Sequence, residues 1–162
     1  MRDALTGLLS RAVLCDDPHR YAIQDKRAFA DHLPAPGVIM LDIDRMLHFN
    51  DQYGFRAGDA VIRAVAEQLQ TLVGDRVIRF GGDEQMILWE FGDVDAVAQK
   101  VVRSLRETRI HCPDYPNETF QVTISAGVAV GDNTEEVIFA ADNALDRAKT
   151  AGRDRVEVAD RD

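Results

Sequence analysis

Arg79-Phe80-Gly81-Gly82-Asp83-Glu84-Gln85-Met86 is the stretch on which the fold turns. Val77, Ile78 and Phe80 precede the two glycines, and Met86, Ile87, Leu88, Trp89 and Phe91 follow them. Two apolar runs around such a pair read as short strands joined by a tight turn. Gly81-Gly82 supplies the positive backbone φ that a hairpin turn requires. Asp83 and Glu84 come next, although acidic residues are poor strand formers. The tip fits two readings: a solvated, acidic hairpin end, or a pair of metal-binding carboxylates on a rigid turn.

Upstream, Val38-Ile39-Met40-Leu41-Asp42-Ile43-Asp44 is continuously apolar until its acidic end. That pattern predicts a strand buried on both faces. Residues 1–18 form an irregular lead-in. Asp17-Pro18 sets up a helix from His19 to Leu33, ended by Pro34-Ala35-Pro36-Gly37. A short helix follows from Arg45 to Tyr53, stopped by Gly54. Asp59 is placed to cap a longer helix to Val73, with Val61, Ile62, Val65, Leu69 and Leu72 on one face.

After the hairpin, Val94, Val97, Val101 and Leu105 recur at helical spacing, and Asp114-Tyr115-Pro116-Asn117 marks a turn. From Val122 to Val130 bulky residues alternate with small ones, which predicts a strand with one bulky and one small face. Thr134 is placed to cap a last helix, with Val137, Ile138, Ala141, Leu145 and Ala148 inward and Gly152 at its end. Val156-Glu157-Val158 fits a short edge strand. The fold class expected is α/β (α+β): a mixed central sheet with flanking helices, in one domain over residues 1–162. Such a sheet can bring Asp42, Asp44, Asp83 and Glu84 together at the hairpin tip.

The composition of the 162 residues, 46% hydrophobic and 29% charged, is that of one globular domain. A formal net charge of −9 argues against non-specific binding to nucleic acid or anionic lipid. Phosphate chemistry on such a chain needs metal ions and locally placed cations. No apolar run reaches membrane-spanning length, and Cys15 and Cys112 form no CxxC pattern. A reduced cytoplasmic setting without membrane insertion is expected. His19, His32, His48 and His111 have no metal-ligand spacing, and Trp89 is expected in the core.

Converging carboxylates form a site for hard cations, magnesium or manganese. Lys149 and Arg153, four residues apart, either neutralise phosphate or complement a helix C-terminus. Asn50 before Gly54 reads equally as a turn residue.

Taken in order, several segments resemble one family. They are Asp3-Ala4-Leu5-Thr6-Gly7-Leu8, Asp42-Ile43-Asp44, Asn50-Asp51, Gly54, Gly58-Asp59 and Arg79 to Glu84. Ser125 to Ala129, Ala141 to Leu145, Ala148-Lys149 and Gly152-Arg153 complete the set. The chain is similar from Asp3 to Val156 to the GGDEF domain of diguanylate cyclases. The resemblance implies a nucleotide-cyclase and polymerase-palm-like fold. It implies condensation of two GTP molecules, one on each of two facing domains, to cyclic di-GMP and pyrophosphate with Mg2+ or Mn2+. By matching position, Asp42, Ile43 through its carbonyl, Asp83 and Glu84 would serve the metal. Asp83 and Glu84 would be catalytic, with Glu84 positioning or deprotonating the 3′-hydroxyl. Asn50 and Asp59 would read guanine, and Gly82, Lys149 and Arg153 would contact substrate.

The chain departs from the family pattern at named positions. Gln85 stands where the signature has phenylalanine, on the strand side of Ile87 and Trp89 and half buried by that alternation. An amide left there without partners costs roughly 1–3 kcal/mol. Leu47 replaces a phosphate-binding lysine, Phe55 a histidine and Ser10 an asparagine. Leu72 and Asp75 fall where an RxxD motif binds inhibitory product, so no classical feedback inhibition is expected. One lost phosphate contact costs about 1.5–3 kcal/mol, whereas losing a metal carboxylate costs far more. The expectation is a slow cyclase. The alternative is a degenerate GGDEF domain that binds GTP or a partner protein without turnover. Catalysis would need a transient or partner-driven homodimer, with any sensor or regulatory domain outside this sequence.

Overall fold

The computed structural model describes residues 2–10 and 37–161. The helix expected over His19 to Leu33, with its flanking Asp17-Pro18 and Pro34 to Pro36, lies outside them. The described strands are β1 (Leu9–Ser10), β2 (Gly37–Ile43), β3 (Val77–Gly81), β4 (Glu84–Trp89), β5 (Ile110–His111), β6 (Thr119–Phe120), β7 (Ile124–Val130) and β8 (Val156–Val158). The helices are α1 (Met46–Tyr53), α2 (Phe55–Val73), α3 (Val94–Glu107) and α4 (Thr134–Thr150).

Six strands form one mixed sheet in the order β1-β3-β4-β2-β7-β8. Its four central strands pair antiparallel, and β1 and β8 add parallel at the two edges. The apolar run of β2 explains its central place, because alternate residues serve two cores. Ile39, Leu41 and Ile43 pack with Val61, Val65 and Leu69 of α2 and Val101 and Leu105 of α3. Val38 and Met40 pack with Val137, Ala141 and Leu145 of α4. Burial of each such large side chain is worth about 1.5–3 kcal/mol.

The small face of β7 has a steric cause. A Cβ on Gly127 would lie 2.1 Å from the Ala141 carbonyl oxygen and 2.2 Å from the Leu145 nitrogen. Helix α4 therefore rests on the sheet backbone itself, and only glycine permits it.

Several local expectations are corrected. Helix α2 starts at Phe55, directly after Gly54 (φ 88°), so Asp59 sits one turn inside it and caps nothing. The cap of α4 is Asn133, whose side chain accepts from the Glu135 and Glu136 backbone N–H groups, one residue before Thr134. The strand expected from Val122 begins at Ile124, and the turn around Asp114 joins the separate pair β5–β6. Gln85 is fully buried, not half buried. Strand β4 has neighbours on both sides, and Leu41 and Arg79 are the direct partners of Gln85. Trp89 is only partly buried at the far end of β4.

Candidate active site

The β3–β4 turn folds onto the end of β2. Gly81 (φ 145°) and Gly82 (φ 54°) adopt backbone that side chains disfavour, and a register shift between Arg79 and Gly81 tightens the tip. Asp42 and Glu84 are direct partners across the antiparallel pair. The Ile43 backbone N–H donates to the Asp83 carbonyl oxygen at 3.2 Å. The hairpin tip is thus tied by backbone to the acidic end of β2, which brings Asp42, Asp83 and Glu84 together.

Lys149 of α4 reaches this group, with Nζ 2.5 Å from Asp42 Oδ2. Burial raises the Asp42 carboxyl, Lys149 opposes it and contact with Asp83 adds to it, and the balance leaves the group pushed up to about 6. Burial also raises Glu84, helped by the charge of Asp142 and opposed by Lys149. Burial works against the Lys149 charge, but the hydrogen bond and charge of Asp42 outweigh it and hold Lys149 above its ordinary value. The cluster carries more negative charge than one lysine balances.

Among the described residues no three acidic, histidine or cysteine side chains already form a metal-ligand set. Asp42 Oδ1 is nevertheless buried without a hydrogen-bond partner. A desolvated, unpartnered carboxylate oxygen beside a second carboxylate fits a hard divalent cation, which would supply the missing counter-charge.

Asp44 does not join this group. Its side chain is nearly buried and its oxygens are spent. Oδ1 accepts from Ser125 Oγ at 2.6 Å, and Oδ2 accepts from Thr123 Oγ1 at 2.6 Å and from the Asp154 backbone N–H at 3.0 Å.

The remaining residues divide between the two faces of the sheet. Lys149 arrives on α4, whereas Asn50 and Asp59 ride on α1 and α2, on the opposite side. Asn50 Oδ1 is buried without a partner. A Cβ on Gly58 would lie 1.8 Å from that oxygen, so the bare glycine is what admits the amide. Asp59 has no hydrogen-bond or ion-pair partner among the described residues and borders a cavity of about 210 Å³ with Arg56, Arg63 and Cys112. Arg153 lies beyond the end of α4 at φ 65°, exposed, with its guanidinium unpaired among the described residues. Leu47 and Phe55 are each 78% exposed.

The organiser that sequence reasoning missed is Arg79. Its Nη1 donates to Asp3 Oδ1 at 2.8 Å, and its Nη2 and Nε donate to the Gly82 carbonyl oxygen at 2.8 and 3.2 Å. The same Asp3 oxygen accepts from the Thr6 N–H and hydroxyl. Asp142 and Asp146, which bear electrostatically on Glu84, were also missed. Their spacing from Lys149 on one helix was the available signal.

Residues 1–155 match the family model described as diguanylate cyclase, GGDEF domain. The chain is 38% identical over 165 residues to the diguanylate cyclase DgcP of Pseudomonas aeruginosa, covering 98% of this chain and 24% of that protein. It is 36% identical over 162 residues to the diguanylate cyclase VdcA of Vibrio cholerae, covering 95% of this chain and 45% of that protein. The chain thus spans less than half of either relative. The GGDEF domain of DgcB from Caulobacter crescentus, solved in complex with c-di-GMP, superposes with a TM-score of 0.82 at 26% identity, covering 97% of this chain and 94% of that one.

Proposed function

The chain belongs to the GGDEF family of diguanylate cyclase domains, and from that premise we propose that it condenses two GTP molecules to cyclic di-GMP. In each of two half-reactions a 3′-oxygen bonds to the α-phosphorus of the other nucleotide. The bond from that phosphorus to the β-phosphate bridge breaks, and pyrophosphate leaves. The observation that carries this reading is the pairing of Asp42 with Glu84, with the Asp83 carbonyl tied to the Ile43 N–H.

Asp42, Asp83 and the Ile43 carbonyl would hold Mg2+ or Mn2+, with Glu84 beside them. When bound, the cation would polarise the α-phosphate and acidify the attacking hydroxyl. Glu84, raised above the ordinary carboxylate value by burial and by Asp142, stands beside the metal ligands where it can take that hydroxyl proton. Asp59 can accept from guanine N1–H and the exocyclic amine, and Asn50 can donate to a guanine acceptor. Gly82 lets the backbone approach the phosphates, and Lys149 and Arg153 neutralise them.

Leu47 offers no cation where the family has lysine, which favours slow turnover. Asp75 pairs with Arg2 at 3.4 Å, and Leu72 replaces the inhibitory-site arginine, so we expect no feedback inhibition there. Residues 1–162 act as one domain in the cytoplasm, where GTP is available. Two copies must face one another, brought together transiently or by a partner or regulatory domain. Among the described residues no helix is long and apolar enough to cross a membrane.

The exposed Leu47 and Phe55 and the buried Gln85 favour a second reading, a GTP-binding or protein-binding module without turnover. Incubation with GTP and Mg2+ followed by nucleotide chromatography separates the two. Cyclic di-GMP that disappears in Asp83→Ala supports the cyclase. GTP binding without product at high protein concentration supports the module.

A further inference from the structure

Asp44 has the residue type and the strand position of a fourth metal carboxylate, yet all its hydrogen bonds point elsewhere. We propose that Asp44 is a positioning residue: it pins the Arg153–Asp154 turn to the end of β2 and thereby aims the Arg153 guanidinium at the triphosphate of the nucleotide. The inference rests on the GTP reading above.

The turn it holds is unusual. Arg153 and Asp154 are consecutive non-glycine residues at φ 65° and 46°. Left-handed backbone is strained for residues with a Cβ and persists where its surroundings over-determine it. Several bonds do so here, among them those from the Arg106 guanidinium to the Asp154 carboxylate at 2.9 and 3.0 Å and to its carbonyl at 3.4 Å, and from Arg155 Nε to the Arg153 carbonyl at 3.1 Å. The Arg153 N–H donates to the Ala148 carbonyl at 2.9 Å, closing the end of α4, and the Ala126 N–H donates to the Arg155 carbonyl at 2.9 Å. Between these lies the Asp154 N–H, which donates to Asp44 Oδ2 at 3.0 Å.

Asp44 is itself fixed. It is only 8% exposed, its N–H donates to the Thr123 carbonyl at 2.9 Å, and the hydroxyls of Thr123 and Ser125 hold both its oxygens. The turn is therefore moored to a rigid strand end. Two residues earlier on that strand, Asp42 holds the head of Lys149. One strand end thus locates both cations, one through its side chain and the other through its backbone. Arg153 has no side-chain partner of its own among the described residues, so the backbone alone sets where its guanidinium can reach.

The test is calorimetric binding of GTPαS and of GMP to the full chain, each with Mg2+. In Asp44→Ala and in Arg153→Ala the preference for GTPαS over GMP falls about tenfold, and the double variant falls no further. Asp44→Asn, whose amide oxygen still accepts from the Asp154 N–H, keeps the preference within about twofold. Should Asp44→Ala not fold, a glycine inserted between Arg153 and Asp154 slackens the turn while the Asp44 bonds stay, and the same drop is expected. The inference is overturned if the two single losses multiply in the double variant. It is also overturned if GMP binding weakens as much as GTPαS binding, or if the inserted glycine leaves the preference unchanged. A wild-type chain that binds neither nucleotide overturns the GTP reading itself, and this inference with it.

Discussion

Arg79 and Asp3 stand 76 residues apart in sequence and 2.8 Å apart in space. The pair is 13% and 22% exposed at its side chains, sheltered more than a surface ion pair. Because the same guanidinium grips the Gly82 carbonyl, the lead-in turn and the hairpin tip share one clamp. Arg79→Ala removes it and is expected to cost about 1–2 kcal/mol in urea unfolding, after allowance for partial solvent screening.

Protonation should reproduce part of that loss. Burial raises the Asp3 carboxyl, but hydrogen bonds from Thr6 and Arg79 outweigh it and hold the group below its ordinary value. A depressed folded pKa adds stability above the unfolded value of about 3.9, and that stability drains as pH falls through the folded value. The stability gap between wild type and Asp3→Asn should be constant from neutral pH down to about 4 and narrow below it. A gap that widens in acid would contradict the assignment.

Gln85 buries both ends of its amide without a partner. Gln85→Met keeps the shape and removes the stranded polar group, so it should stabilise the chain by about 1–3 kcal/mol. Urea midpoints at unchanged slope would measure the gain. A loss of similar size would mean that the amide is satisfied.

Gly58 leaves room for the Asn50 amide. In Gly58→Ala the flexible amide must swing away while the helix stays, so far-UV circular dichroism should not change. If Asn50 reads guanine, GTP affinity should fall about tenfold and affinity for an adenine nucleotide should not.

Leu47 is exposed and packs little, so replacing it sacrifices almost no burial. Leu47→Lys should strengthen GTP binding by about tenfold if the position faces phosphate, and the gain should shrink with added salt.

Much of this arrangement was legible in the chain. The unbroken apolar run of β2, the helical spacing in α2 and α4 and the glycine turn each carry their own local signal. The juxtaposition of Asp42 with Asp83 and Glu84 followed from placing that strand beside that hairpin. The fate of Asp44 was not legible, because Thr123, Ser125 and Asp154 lie 79, 81 and 110 residues away. The full burial of Gln85 depends on sheet order, which no local pattern encodes. Helix α2 begins without a capping side chain, so Asp59 drew the boundary too late. Strands β5 and β6 are two residues each, too short to show a period.

The six-rung ladder from Gly37↔Trp89 to Asp42↔Glu84 leaves the connecting excursion through α1, α2 and β3 out of the spacing between those two carboxylates. Segments in that excursion can lengthen, shorten or exchange surface residues during divergence while the acidic pair keeps its separation. The fold thus fixes the acidic pair independently of the length of that excursion, even though the excursion itself carries Asn50, Asp59 and Arg79.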